Sequence, residues 1–553
     1  MLEDEVLKIL RSVDIKAKEE NLETPPQEEL GDLSFPCFQL AKEQKRNPQV
    51  IANEIASKIK IPKNSVIEKV EAKGAYVNFF LDYSKFSKIV LKNMIRLNKL
   101  KFGRNKKILI EYSSPNPIHP IHVGSARNTF IGESLSRIFQ FAGYTVNRLC
   151  YINDLGKQIA VLVYGFLKNK IKIKPNKKPD HWLLDIYIDA NKIVNKNPEL
   201  NKHVEKILYQ YENGDKEISF LVKKIVNLCI KGFKETYNLT NTKFTEYIWE
   251  SKFVKESKKY VEQLLKKKIA FKTAEGAIVV NLQPYNLPNT VILRSDGTGL
   301  YLTRDIPSHI YRIKKYKPSL SITITGEDQK LHFKQLFKII ELLGFKKFSN
   351  ISHHIPYAYV TLPEGKLSSR RGRVILIDDV FAEAKKAVKQ KFKVKDDKLA
   401  EKIGVSAVIY ALLKIDPDKQ VMFNWDEVLS LHGNNGPYLQ YTYTRCSSIL
   451  KKVKKCENVF SFKSLNEEEK KLIKLLSNFP KVVQQAIRDL KPHYVCNYTY
   501  DLSTAFNNFY EKHRVINAET NELKNFRLNL VKATKNILGK CLELIGMYAV
   551  EKM

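Results

Sequence analysis

Residues 111–125 read Glu-Tyr-Ser-Ser-Pro-Asn-Pro-Ile-His-Pro-Ile-His-Val-Gly-Ser. The stretch begins where the short apolar run Ile108–Ile110 ends, and it leads into a segment that sets Ile131, Leu135, Ile138 and Phe139 on one helical face. Strand, loop and helix in that order predict the first unit of an open α/β fold. A loop that feeds a helix N-terminus offers unpaired amides and the positive end of the helix dipole to phosphate. His122 and Gly124 stand at that end. The imidazole can donate to phosphate oxygens, and glycine lets a nucleotide come close to the backbone, so the arrangement suits ATP. By itself an H-x-G triplet is usually structural, and the information lies in the wider string.

Working outward, strand-like runs at Thr290–Leu293 (followed by the turn Ser295-Asp296-Gly297), Ser321–Thr325 and Ile355–Leu362 alternate with helical stretches, as the rest of a parallel sheet requires. Between about 166 and 285 the pattern is mostly helical and lysine-rich, with a strand at Ala277–Leu282, which predicts an insertion. Upstream, residues 1–105 start helical, pass through Pro25-Pro26 and Gly31-Asp32, and end in the strand-like Ala75–Phe80. Beyond about 395 strand signals cease, and periodic runs such as Val405–Leu413 and Leu528–Leu544 predict a helical bundle. The expected fold class is therefore multidomain α/β. It comprises a small α+β N-terminal domain (1–105), a Rossmann-type parallel-sheet domain (106–395, with an insertion at about 166–285) and an all-α domain (396–553).

Composition narrows the class of function. A chain of 553 residues exceeds what one core usually serves, and 43% apolar with 28% charged residues is ordinary for globular proteins. Lys+Arg 94 against Asp+Glu 59 gives a formal net charge of +35, which points to a polyanionic partner, although lysines on solvated helix faces would give the same count. The seven cysteines, Cys37, Cys150, Cys229, Cys446, Cys456, Cys496 and Cys541, are odd in number and never form C-x-x-C. That argues against a disulfide framework or a zinc ribbon and for a reducing, cytoplasmic compartment. The start, Leu2-Glu3-Asp4-Glu5, is not a basic-then-apolar leader, and no run of roughly 18 apolar residues occurs, so neither export nor membrane insertion is expected.

The string S-P-N, then P-x-H-x-G, then Ala126-Arg127-Asn128 resembles the H-I-G-H motif of class I aminoacyl-tRNA synthetases in its arginyl form. Gly365-Lys366-Leu367-Ser368-Ser369-Arg370-Arg371-Gly372 resembles the second motif of that class, K-M-S-K-S. The resemblance implies that His119, His122, Gly124 and Lys366 contact ATP, and that His122, Gly124, Ser125, Lys366, Ser368, Ser369 and Arg370 form the catalytic set. ATP would bring its Mg2+, with no metal held by the protein. The pairing makes chemical sense, because attack of a carboxylate on the α-phosphate needs positioning and cationic stabilisation above all. Two departures bear on rate: Ser125 stands where the family motif has a second histidine, and His119 where many members have lysine.

A guanidinium is a planar donor fork best met by carboxylates. Gly299-Leu-Tyr-Leu-Thr-Arg-Asp-Ile306 resembles a family segment that implies Tyr301 and Asp305 at a helix entrance facing arginine, together with Glu111. Thr325-Gly-Glu-Asp-Gln329 with His332-Phe333 implies that Gln329, Asn116 and Ser114 hold the α-ammonium group. Further on, Gly433-Asn-Asn-Gly-Pro-Tyr-Leu-Gln-Tyr-Thr-Tyr-Thr-Arg445 and the terminal Val550-Glu-Lys-Met553 are similar to the family's anticodon-binding domain. There Tyr438, Tyr441, Arg445 and Met553, with Tyr443, would meet unstacked bases. Helix-packing aromatics remain the alternative for the tyrosines. The N-terminal domain resembles the one peculiar to arginyl enzymes, which contacts the tRNA elbow. The implied substrates are ATP, L-arginine and tRNA(Arg), and the implied state is a monomer with no membrane partner. A cysteinyl enzyme would need zinc ligands that are not clustered here. A non-catalytic tRNA-binding paralogue would tolerate Ser125 but has no use for Lys366–Arg370. A small-molecule adenylyltransferase would need neither the charge nor the aromatic helices.

Overall fold

Five strands, all pairing in parallel, form the central sheet of the computed structural model, which describes residues 2–361 and 375–553. Strands are numbered here in chain order. In the N-terminal region β1 (Leu33–Pro36), β2 (Ile67–Lys73) and β3 (Tyr76–Leu81) make a three-stranded antiparallel sheet in the order β1-β3-β2. The central sheet comprises β4 (Lys107–Glu111), β5 (Thr145–Ile152), β6 (Glu246–Trp249), β10 (Leu320–Gly326) and β11 (Ser352–Tyr357), in the order β11-β10-β4-β5-β6. Ile108, Leu109 and Ile110 are all buried, as a strand covered on both faces demands. This order reverses direction between β4 and β10, and ligands of open α/β sheets bind beyond the carboxyl ends of the strands at such a point.

Two expectations are corrected. Thr290–Leu293 (β9) is not in the parallel sheet. It pairs antiparallel with β8 (Ile278–Val280), which pairs antiparallel with β7 (Ala270–Lys272). This small sheet has its own apolar core with Leu264, Leu302, Ile306, Leu336 and Ile340. Conversely, Glu246–Trp249 lies inside the span read as a helical insertion, yet it is the edge strand beside β5, with Leu149 opposite Glu246 and Ile152 opposite Trp249. Of the insertion's helices, Pro179–Lys196, Asn201–Glu212 and Lys216–Leu239 precede that strand and Val254–Lys266 follows it.

The helix Val123–Phe141 links β4 to β5 and is buried along most of its length, Arg127 included. It can lie this close to the sheet because of Gly132, where an added Cβ would stand 2.2 Å from the Tyr112 ring. Beyond residue 396 the chain is helical, in Asp397–Leu413, Gly436–Lys451, Glu467–Asp489, His493–Lys512 and Asn521–Ile545. One exception escaped the sequence pattern: β13 (Val421–Met422) pairs in parallel with β12 (Val360–Thr361).

By contact density the chain divides into two compact units. One holds residues 1–97, 445–480 and 501–538, and the other holds residues 98–444, 481–500 and 539–553. In the first, Asp32 accepts from the Leu81 amide at 2.8 Å, the Tyr83 hydroxyl at 2.5 Å and Lys474 at 2.6 Å, and the buried Arg527 pairs with Glu469 at 2.7 Å. The second contains the central sheet. No helix among the described residues is long and apolar enough to cross a membrane.

Candidate active site

The carboxyl end of β4 runs into Ser113 and Ser114, whose φ angles of 73° and 41° lie in the left-handed region that non-glycine residues rarely adopt. Surrounding bonds hold them there. The Ser113 amide donates to Asn128 Oδ1 at 3.0 Å, and its hydroxyl meets the Tyr237 hydroxyl at 2.6 Å. Asn128 in turn donates to the Ile324 carbonyl of β10 at 2.8 Å, so one side chain ties the loop to the strand across the switch point. Asn116 follows on the same loop, 3.4 Å from Gln158, and the exposed Gln329 lies just past the end of β10. Glu111, Ser114, Asn116 and Gln329 therefore come from the two strand ends that flank the reversal.

His122 is the N-cap of Val123–Phe141. Its Nδ1 accepts from the Ser125 amide at 3.1 Å, and its Nε2 lies 2.9 Å from the Ser125 hydroxyl. A ring that accepts an amide at Nδ1 is neutral and carries its proton on Nε2. Burial, helped by His119, depresses the His122 pKa to about 4, so the neutral form is the rule near pH 7. Ser125 is the partner that orients the capping histidine. His119 turns its Nδ1 to the Pro120 carbonyl at 2.8 Å, its ring 6.0 Å from that of His122. Lys366, Ser368, Ser369 and Arg370 lie outside the described residues. Their downstream flank is placed, since Leu376 bridges to His122 and the Val123 amide donates to the Ile375 carbonyl at 3.0 Å.

A second group of residues is acidic, with Glu250, Asp305 and Asp154 gathered around Tyr151. Tyr301 opens the helix Tyr301–Tyr316 and is 59% exposed, so it is available to a ligand. The cap of that helix is Leu300, whose amide donates to the Thr303 hydroxyl at 3.0 Å, so Asp305 is free of capping duty. Asp305 pairs with His332 at 2.7 Å. Arg304 points inward to the fully buried Glu250 and to the Gly299 carbonyl at 2.9 Å, with its guanidinium carbon 5.8 Å from the Tyr301 ring. Burial pushes the Glu250 carboxyl up to about 7 against the pull of Arg304. Asp154, also buried, accepts from the Ser251 amide at 2.9 Å and from the Tyr211 hydroxyl. The Tyr151 hydroxyl, held in its neutral form by burial and by Glu250, Asp305 and Asp154 nearby, has no hydrogen-bond partner among the described residues. Glu111 is engaged differently from its neighbours: its carboxylate forms a buried ion pair with Arg312, which also reaches His309.

On the helix Gly436–Lys451, Tyr438, Tyr441 and Arg445 follow at the three- and four-residue steps that share a face. Tyr438 lies 5.8 Å from the Tyr500 ring, and Tyr441 is 38% exposed. Arg445 donates to Asn507 Oδ1 at 2.6 Å and stacks 4.9 Å over Tyr510. Tyr443 packs where an added Cβ on Gly539 would stand 3.2 Å from its ring, so of the aromatics it fits the packing alternative. Met553 is partly exposed.

Comparison with known proteins decides the family. Residues 87–425 match the family model for the catalytic domain of class I (R) tRNA synthetases, 439–553 the DALR anticodon-binding domain, and 1–81 the arginyl-tRNA synthetase N-terminal domain. The arginine–tRNA ligase of Clostridium kluyveri is 37% identical over 546 residues, covering 96% of each chain. The chain belongs to the arginyl-tRNA synthetase family.

A second relative, the arginine–tRNA ligase of Clostridium perfringens, is 36% identical over 562 residues, with 99% of this chain and 98% of that one covered. Thermus thermophilus arginyl-tRNA synthetase superposes with a TM-score of 0.83 at 26% identity over 100% of this chain and 99% of that one. The Plasmodium falciparum structure shares the fold with a TM-score of 0.80 at 23% identity. Within this arginyl-tRNA synthetase fold, the acidic residue that the sequence did not single out is Glu250, together with Asp154. Trp249-Glu250-Ser251 carries no chemical spacing of its own, and only the register of β6 against β5 sets Glu250 at the carboxyl edge of the sheet.

Proposed function

We propose that this chain is an arginine–tRNA ligase, which activates L-arginine with ATP and transfers it to the terminal adenosine of tRNA(Arg) for protein synthesis. One observation carries the reading: a helix N-terminus suited to phosphate, on the loop after β4, and carboxylates suited to a guanidinium, from Glu250 just after β6, stand at the carboxyl edge of one parallel sheet. In the first step the arginine carboxylate attacks the α-phosphorus of ATP, forming arginyl-adenylate and releasing pyrophosphate. In the second the adenosine hydroxyl attacks the activated carbonyl and AMP leaves.

His122 and Gly124 sit where the phosphates meet the helix start, with His119 beside them and Ser125 orienting His122. Lys366 and Arg370, with Ser368 and Ser369, supply the cations and donors of the second motif. Mg2+ arrives with ATP as part of the substrate. Asp305 and Tyr301 take the guanidinium, with Glu250 behind them, and a donor bound there would satisfy the Tyr151 hydroxyl. Ser114, Asn116 and Gln329 hold the α-ammonium. Glu111, on this reading, serves the pocket from its ion pair with Arg312. Tyr438, Tyr441, Arg445 and Met553 read anticodon bases, and residues 1–105, 106–395 and 396–553 are the tRNA-contacting, catalytic and anticodon-binding domains. We place the protein in the cytoplasm, a reading supported by seven cysteines that are all free, and take it as a monomer by the habit of the family it belongs to.

The test is ATP–pyrophosphate exchange. Exchange is expected with arginine alone among the amino acids and only when tRNA(Arg) is present. Brisk exchange with lysine or cysteine and none with arginine would refute the assignment.

A further inference from the structure

The insertion helices reach the phosphate-side loop through a largely buried carboxylate. Asp378 lies in the first turn of the helix Ile377–Lys391. Its Oδ2 accepts from Lys178 Nζ at 2.7 Å and from His181 Nε2 at 2.9 Å, and its Oδ1 accepts from the Thr236 hydroxyl at 2.8 Å. Lys178 and His181 belong to the start of Pro179–Lys196, and Thr236 to the last turn of Lys216–Leu239. Lys178 also donates to Asp180 Oδ2 and to Thr236 Oγ1, each at 2.8 Å, so all three of its ammonium protons are used. Asp180 is wholly buried. Burial opposes the charge on Asp378, but His181, Lys178 and Thr236 outweigh it and hold the carboxyl down at about 2. Asp378 is therefore ionised across the working pH range.

The three residues before Asp378 form the other half of the device. The Val123 amide donates to the Ile375 carbonyl at 3.0 Å, and the Ile377 amide donates to the Ile121 carbonyl at 2.9 Å, with Leu376 opposite His122 between them. His122 therefore stands on a backbone segment clamped by 375–377, and the residue that follows this clamp is anchored in the insertion.

We propose that Asp378 is a positioning residue for adenylate formation: held by Lys178, His181 and Thr236, it fixes Ile375–Ile377 and, through that pairing, the backbone that presents His122. The inference rests on the reading of His122 as an ATP contact. It also gives the lysine-rich insertion a role in the chemical step. The arginine-side carboxylates lie on other elements, so the effect is on the phosphate side.

The experiment is tRNA-dependent ATP–pyrophosphate exchange on the full chain carrying Asp378→Asn, Thr236→Val, His122→Ala and their pairs. Misplacing a reacting group by an ångström costs up to about a hundredfold, so Asp378→Asn is expected to lower kcat roughly ten- to hundredfold with the arginine KM moved by no more than about twofold. Thr236→Val removes one of the three donors at nearly constant volume and should act in the same direction, less strongly. In the His122→Ala background neither substitution should lower kcat further, because the group they position is gone. If the losses multiply instead, Asp378 does not act through His122 and the proposal is overturned while the site reading stands. If His122→Ala alone leaves exchange intact, the ATP role of His122 falls and the proposal with it. Should Asp378→Asn fail to fold, Thr236→Val in the same cycle decides between these outcomes.

Discussion

Replacing Asp305 by asparagine is expected to raise the KM for arginine about ten- to hundredfold or more, because a hydrogen bond to a charged group contributes roughly 1.5–3 kcal/mol. Asp305 is suited to this test because its only described protein partner is His332, at 2.7 Å. An asparagine oxygen can still accept from that imidazole, so the helix Tyr301–Tyr316 keeps its contact and the fold its stability. What disappears is the negative charge that we propose faces the guanidinium. Affinity for tRNA and the KM for ATP should stay as they are. Steady-state exchange kinetics with arginine varied checks the expectation, and an unchanged arginine KM would place the pocket elsewhere. The corresponding change at Glu111 would not be a clean probe. Its carboxylate neutralises Arg312 in a buried pair, and breaking such a pair costs about 3–5 kcal/mol of stability.

Acidification from pH 7 to pH 5 is expected to lower the free energy of unfolding by about 3 kcal/mol, and the sign follows from three histidines. Burial brings His122, His309 and His354 each down to about 4, aided at His122 by His119 and at His354 by His332 and Lys330. His309 illustrates why: its Nδ1 accepts from Arg312 and its Nε2 lies 2.7 Å from the Ser352 hydroxyl, an arrangement for neutral imidazole. His354 stacks on Phe333 at 4.3 Å with Nε2 2.8 Å from the Thr325 hydroxyl. Above the unfolded value of about 6.5 both states are neutral and the groups contribute nothing to pH dependence. Below it the unfolded chain takes up protons that the folded chain refuses until about pH 4, and at pH 5 that difference is about 2 kcal/mol per histidine.

Glu250 works the other way. With its folded value near 7, it takes up a proton on folding over the same window and returns about 2 kcal/mol. Asp378, held near 2, does not enter until the unfolded carboxylates begin to titrate near pH 4. Urea unfolding at the two pH values, with the slope unchanged, measures the net effect. A stability that is flat or rises toward pH 5 would contradict the burial of these imidazoles in neutral form.

Sequence pattern revealed what is local. Ile108–Ile110 reads as a buried strand because three consecutive apolar residues admit little else beside a proline-rich loop, and the loop to Ser125 announces its helix through His122 and Gly124. Tyr301 and Asp305 were singled out by the resemblance of the segment that holds them, and the structure sets both in the first turns of one helix. Pairing between strands was not legible in the same way. Thr290–Leu293 has every property of a sheet strand, but nothing in four residues says which sheet, and the turn at Ser295-Asp296-Gly297 suits either answer. Glu246–Trp249 alternates weakly after a long lysine-rich helix and passes for its continuation. Glu250 and Asp378 were given no role for a related reason: their partners Arg304 and Lys178 are distant in sequence, and burial of a carboxylate becomes visible only once those partners are in place. The His122–Leu376 bridge, joining the two motif regions, is likewise a property of the fold alone.

Charging of unfractionated tRNA with each of the twenty amino acids in turn, in the presence of ATP and Mg2+, tests the central claim most directly. The account predicts acid-precipitable, alkali-labile incorporation of arginine alone, confined to tRNA(Arg). Incorporation of any other amino acid in its place, or binding of tRNA without any charging, would contradict it.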